Sequence, residues 1–100
     1  MPAFVVIFDD DDPAVTVSDA LGQAHVAYFL ALGERAILGG AMLNDEGGAK
    51  ARLLVGDFPS IEEARAFAAN EPLAAAGRVK GWRVEPFFVA QERGVHTPAG

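Results

Sequence analysis

The stretch Ile37-Leu38-Gly39-Gly40-Ala41-Met42-Leu43-Asn44-Asp45-Glu46-Gly47-Gly48-Ala49-Lys50-Ala51-Arg52-Leu53-Leu54-Val55-Gly56-Asp57-Phe58 decides the fold. Ile37 to Leu43 and Lys50 to Phe58 are strand-like runs, and Asn44 to Gly48 between them is a turn sequence whose glycines tolerate positive φ. The two runs therefore pair as antiparallel neighbours. Upstream, Ser18 is a suitable N-cap, and from there to about Arg35 the residues Leu21, His25, Tyr28 and Leu32 recur at helical spacing. Ala20, Ala24, Ala27 and Ala31 repeat that spacing, a line of small residues that lets a helix lie close to a sheet. Further upstream, Ala3 to Phe8 is a β-branched and aromatic run ended by Asp9, Asp10, Asp11, Asp12 and Pro13, which predicts a strand stopped by a turn.

Downstream of the hairpin, Ser60-Ile61-Glu62-Glu63 matches the capping box and opens a second helix running to about Asn70. Pro72 starts a short extra turn through Ala76, Gly77 ends it, and Trp82 to Val89 supplies a fourth strand. The order β-α-β-β-α-β with hairpin-linked middle strands predicts an α+β, ferredoxin-like fold: a four-stranded antiparallel sheet with two helices on one face. Phe4 to Phe8 and Leu53 to Val55 are apolar on both faces of their strands, and no sequence remains for a second layer. A homodimer formed by sheet-to-sheet packing is the economical cover. Residues 1–90 form one domain, and residues 91–100 a polar tail expected to be mobile or bound to a partner.

The chain has 100 residues, 51% of them hydrophobic, which suffices for a thin core and excludes intrinsic disorder. No cysteine is present, so disulfides, thiolate chemistry and cysteine-held zinc or iron–sulfur centres are excluded. Fourteen acids against eight bases give a net charge of -6. That balance argues against nucleic acid, whose binding needs a basic face, and against anionic membranes. The longest apolar run, Val26 to Gly33, is too short to span a bilayer, and no Lys or Arg precedes Arg35 to make a signal peptide, so a cytoplasmic protein is expected.

His25 stands out because it shares the inward stripe of Leu21, Tyr28 and Leu32, and a titratable ring in an apolar site can move a proton near neutral pH. The same position equally suits a core histidine bonded to a backbone carbonyl. Glu71 precedes Pro72 and so occupies the N-cap of the short turn. It reads either as a cap or, since Glu is a poor cap beside Asp, Ser or Asn, as a carboxylate reaching another group. An ionised Glu71 beside His25 would fix the imidazole tautomer. Asp9 to Asp12 could hold a hard cation, but successive carboxylates on a strand end diverge, and a solvated turn is the reading taken; no metal is expected. Asp9 or Asp10 is expected to border the pocket near the strand end. Arg78, Lys80 and Arg83 cluster before the last strand and read as holders of an acidic substrate or as a solvated loop. Gly39-Gly40 has no following helix, so it is a bulge or close backbone contact and not a phosphate loop. His96 lies in the tail with no role.

From about Ala3 to Val89 the chain resembles the YciI-like (YCII-related) proteins. The resemblance is carried by the first strand ending at the aspartates, Ala24-His25-Val26-Ala27-Tyr28, Gly40, Asp45 with Gly47 and Gly48, Ser60 to Arg65, Asn70-Glu71-Pro72-Leu73 through Ala76-Gly77, and Val84-Glu85-Pro86-Phe87. It implies a dimeric ferredoxin-like α/β barrel with an active site built from a histidine in the first helix and an aspartate before the proline. His25 matches that histidine; Glu71 stands where Asp is usual. Gly22 stands where the family often has an arginine, which leaves Arg78 and Arg83, with Asp9 and Tyr28, as substrate-binding candidates.

The expectation drawn from these residues is a small enzyme that moves a proton through His25, oriented by Glu71, on a small, ring-shaped organic acid in a lyase, isomerase or hydrolase step. No cofactor is expected, because no dinucleotide or haem motif appears. The rival reading is a non-catalytic small-molecule-binding or interaction module using the same pocket.

Overall fold

The computed structural model describes residues 1–98. Its main elements are β1 (Ala3–Asp11), α1 (Asp19–Leu30), β2 (Ala36–Leu43), β3 (Ala49–Asp57), α2 (Ile61–Ala69), α3 (Pro72–Ala75) and β4 (Val79–Pro86). The strands form one antiparallel sheet in the order β2-β3-β1-β4, which is the α+β, ferredoxin-like arrangement. β1 occupies the middle because it is the most continuously apolar strand: Val6 pairs with Leu54 on one side and Val84 on the other.

Side chains alternate across a strand, so Phe4, Val6 and Phe8 all point to the face that carries the helices. There they meet Leu54, Phe58, Ala64, Ala68, Leu73 and Val84 in a single buried core. α2 is placed by its cap, where Ser60 Oγ accepts from the Glu63 backbone N–H at 3.2 Å, and its buried Ala64 and Ala68 bring the helix axis close to the sheet. In the hairpin, Asn44 Oδ1 accepts from the backbone N–H groups of Glu46 and Gly48, and Gly47 takes φ 86.

Several expectations are corrected. α1 stops at Leu30, followed by a 3₁₀ turn at Gly33–Arg35, because Gly33 enters the left-handed region at φ 57 and winding to Arg35 cannot continue. The alanine line faces outward: Ala20, Ala24, Ala27 and Ala31 are exposed, while Leu21, Phe29 and Leu32 pack on the core. Burial favours the larger side chains because each removes more apolar area from water, and bulky contacts hold α1 away from β2 and β3. The fourth strand runs from Val79 to Pro86, so Lys80 lies in it rather than before it, and Phe87 to Val89 fall beyond its end. The tail carries a small hairpin of β5 (Gln91–Glu92) and β6 (Val95–His96). The irregularities of β2 fall at Ala36/Leu38 and Met42/Leu43, not at Gly39-Gly40.

β1 also runs through the aspartates that were expected to end it, since β4 continues to offer backbone partners after pairing with β3 has stopped at Phe8: Gly81 to Asp9 and Val79 to Asp11. Asp10 there adopts φ 59, a left-handed conformation that Asp tolerates better than most residues. Regular alternation would place Asp11 on the face of Asp9, opposite Phe8. Instead Asp11 bonds to Arg52, the residue paired with Phe8 on the helix side.

Candidate functional site

Glu71 is completely buried, at 0% exposure, and both of its carboxylate oxygens are engaged. Oε2 accepts from the Leu73 backbone N–H at 2.5 Å and caps α3, while Oε1 lies 2.8 Å from Nδ1 of His25. Burying a carboxylate is costly unless it is bonded, and these two partners are what make the position tolerable. The extra methylene of Glu lets one side chain reach both groups. An ionised carboxylate only accepts, so Nδ1 carries the hydrogen, and a neutral ring then holds its lone pair on Nε2. Among the described residues no protein group bonds Nε2.

Packing fixes the ring. His25 sits edge-to-face on Phe29 at 5.1 Å between centroids, and Phe29 in turn meets Phe8 at 5.9 Å and Phe67 at 5.6 Å. Tyr28, on the next position of the stripe, stacks on Phe67 at 4.6 Å and donates its hydroxyl to the Phe67 carbonyl at 2.8 Å. Burial pushes the Tyr28 phenol above its ordinary 10.0, and the neighbouring Glu71 carboxylate pushes the same way. Tyr28 is the only tyrosine in the chain, so its titration is directly visible. Phenolate absorbance should show a midpoint above 10.0 in the folded protein. Because the folded form holds the phenolic proton more tightly, its contribution to stability is complete below pH 10 and fades as pH rises beyond that value. Glu71→Gln should bring the midpoint down only slightly, since burial is the larger cause; a midpoint at or below 10.0 in the wild type would contradict the packing described.

The space left between α1 and the β2–β3 pair is a cavity of about 600 Å³. His25 and Phe29 border it from α1, Leu73 from α3, and Gly39, Gly40 and Arg52 from the sheet. Gly39 widens it: it pairs with Leu54 on the helix side, and a Cβ there would only touch Leu54 at 3.6 Å. A leucine at position 39 should therefore fold normally while projecting into the cavity. Its expected effect is a melting temperature close to wild type with ligand affinity at least tenfold weaker. Unchanged affinity would mean the ligand binds elsewhere.

The remaining sequence candidates are distributed away from this cavity. Asp9 and Arg83 share the sheet face opposite the helices, since Arg83 pairs with Ile7 and Asp9 with Gly81. A Cβ at Gly81 would displace the exposed Asp9 carboxylate. Arg78 donates to the Val15 carbonyl at 2.8 Å and lies 3.5 Å from Asp11, and Lys80 pairs with Asp12 at 3.1 Å. The Asp12 carboxyl is held below its usual range by the Ala14 backbone N–H and by Lys80. Tyr28 supports the His25 stripe and does not border the cavity. Among the described residues no group of His, Asp and Glu side chains could hold a metal ion. No helix among them is long and apolar enough to cross a membrane.

Arg52 is the site residue that sequence reasoning missed. Its signal was there: in the apolar run Ala51 to Val55, alternation puts Arg52 on the same inward face as Leu54, where a charge is out of place.

Against solved structures, the chain is similar to 5-chloro-2-hydroxyhydroquinone dehydrochlorinase from Burkholderia phenoliruptrix AC1100 in complex with 2,5-dihydroxybenzoquinone. The TM-score is 0.71 and the identity 25%, over 85% of this chain and 93% of that one. No curated protein matches the sequence. The model of the YCII-related domain matches residues 3–88, from the first residue of β1 past the end of β4, so the order of elements and the helix-borne histidine are those of one continuous unit, and the chain belongs to the YCII-related family.

Proposed function

We propose that the protein is a small acid–base enzyme in which Nε2 of His25 moves a proton on a small, ring-shaped organic acid bound in the cavity. The observation that carries this reading is the 2.8 Å contact between His25 Nδ1 and the fully buried Glu71 carboxylate, which leaves the other ring nitrogen free beside an apolar cavity. Glu71 acts as a positioning residue. It is itself held by the Leu73 N–H, so the imidazole keeps one tautomer and one orientation. A cavity of about 600 Å³ suits a single substituted ring.

The dehydrochlorinase neighbour suggests elimination as the first reaction to try. Loss of HCl from a chlorinated hydroquinone needs a base to take one proton as chloride departs, and chloride leaves to solvent; no redox partner enters the balance. Chloride release from 5-chloro-2-hydroxyhydroquinone, measured against the protein-free rate, tests this. Acceleration by the wild type that disappears in the His25→Asn variant supports it. Binding of the compound in the cavity without acceleration of any proton-transfer step would favour the ligand-binding reading instead.

The working form is proposed to be a homodimer. Leu38 and Met42, at 63% and 40% exposure, share the sheet face that carries Val5, Ile7 and Leu53, and no helix covers it among the described residues. Light scattering at micromolar concentration should give twice the 10.5 kDa chain mass. A stable particle of single-chain mass would rule out the face-to-face pairing.

A further inference from the structure

Arg52 is the sole cationic side chain bordering the cavity, whose other walls are apolar apart from His25. It sits in the middle of the sheet's inner side, paired with Phe8 and Ala41, and its side chain is 15% exposed. A charge in such a place is expensive unless it is bonded. Asp11 accounts for only part of the guanidinium: Nη1 donates to both Asp11 oxygens, at 2.8 and 3.0 Å. A guanidinium has five N–H donors on three nitrogens. Among the described residues, Nε and Nη2 of Arg52 have no protein partner, and neither is a sealed, unpartnered atom, a condition found at Arg78 Nε instead. They are open to whatever fills the cavity.

Asp11 is shared unequally: Arg52 Nη1 bonds both of its oxygens, and Arg78 Nε lies 3.5 Å from Oδ2, so two guanidiniums face one carboxylate. Lys80 and Asp12 neutralise each other alongside. Arg52 thus presents spare N–H donors to the large apolar cavity, whose other polar wall is the His25–Glu71 pair. Coulombic attraction is strongest where water is scarce, and a planar guanidinium matches a carboxylate or a pair of adjacent ring oxygens.

We propose that Arg52 is the anion anchor of the cavity, holding a carboxylate or ionised ring hydroxyl of the substrate through Nε and Nη2, while another edge of the ring meets His25. This inference rests on the cavity being the substrate site and narrows the substrate to a monoanion or dianion. Asp11 then serves to orient Arg52, since it engages only Nη1 and leaves Nε and Nη2 to the ligand.

The test uses the full chain and two coloured probes of nearly the same shape: 2,5-dihydroxybenzoquinone, which is ionised at neutral pH, and its uncharged dimethyl ether, 2,5-dimethoxybenzoquinone. Affinities come from calorimetry. The wild type should bind the anion at least tenfold more tightly than the ether. Arg52→Gln should weaken the anion about 10- to 100-fold and leave the ether unchanged, the size expected for losing charge-assisted hydrogen bonds. Arg52→Lys should retain part of the discrimination, and it remains informative if the glutamine variant does not fold. Equal loss of both probes, or a lowered melting temperature with discrimination intact, would make Arg52 a structural partner of Asp11 and overturn the proposal; so would a wild type that does not distinguish the probes. The enzymatic reading fails separately. Discrimination lost in Arg52→Gln with no turnover in the wild type keeps the anchor and removes the enzyme, whereas turnover with discrimination intact in Arg52→Gln does the reverse.

Discussion

His25→Asn should yield a folded protein whose turnover of its substrate is reduced by roughly 10² to 10⁴-fold, the range for removing a positioned proton-transfer group. Folding should survive because the ring's structural bonds are modest. His25 is only part-buried, its side chain being 22% exposed, and Asn can still donate to Glu71 Oε1. The stability change should therefore stay within about 1 to 3 kcal/mol, the range for a disturbed buried hydrogen bond. Glu71→Gln should cost less activity than loss of the ring, although the amide has one acceptor for the two donors, Nδ1–H and the Leu73 N–H, that the carboxylate satisfies. Proton NMR adds a check that needs no substrate: the His25 ring resonances should vanish in the variant, and the Nδ1–H signal bonded to Glu71 should be lost or displaced in Glu71→Gln. Unfolding of His25→Asn, together with an unchanged Nδ1–H signal in Glu71→Gln, would assign both residues to the core and not to chemistry.

The largest effect on stability should come from Phe8→Ala. Phe8 is fully buried at the centre of the sheet, and its ring supports Phe29, which supports His25. Truncation removes the transfer free energy of an aromatic ring and leaves a void that a sheet pinned on both sides of β1 cannot collapse, for a cost of about 3 to 5 kcal/mol. That is a large share of the roughly 5 to 15 kcal/mol that holds a domain folded. Leu30→Ala, at a position 74% exposed, should change stability by less than about 0.5 kcal/mol. Denaturant melts of the two variants side by side would expose a wrong core if Leu30→Ala proved as costly as Phe8→Ala. Phe8→Ala should also broaden the His25 signals, because the aromatic stack under the imidazole is loosened.

Much of this was legible in the chain. The hairpin announced itself because Asn44 and Gly47 carry turn chemistry that few other residues can supply. His25 and Glu71 were each singled out by a local rule, an inward helical stripe and a carboxylate just before a helix-opening proline, and the resemblance to the YCII-related proteins is what joined them. What escaped depended on non-local partners. The alanine line and the bulky line of α1 have identical spacing, and only competition for area against the assembled core decides which turns inward. The strand through Asp9 to Asp11 is drawn out by pairing with β4, which lies about seventy residues away in sequence. Arg52 was hidden because its partner Asp11 is 41 positions distant and reaches it only through an unusual backbone turn.

That turn, at Asp10, makes the strand change phase. One residue in the left-handed region resets the odd–even count, so a run of identical side chains is dealt to two opposite surfaces: Asp9 to one, Asp11 to the other. Position 10 therefore contributes handedness more than charge. Glycine or asparagine can stand in for Asp10, whereas a valine, which resists positive φ, would restore the regular count and swing Asp11 away from Arg52. The charge lining the cavity is thus set by the backbone of the adjacent strand, one residue before Asp11, and a neutral-looking substitution at exposed Asp10 would be read out as an altered electrostatic interior.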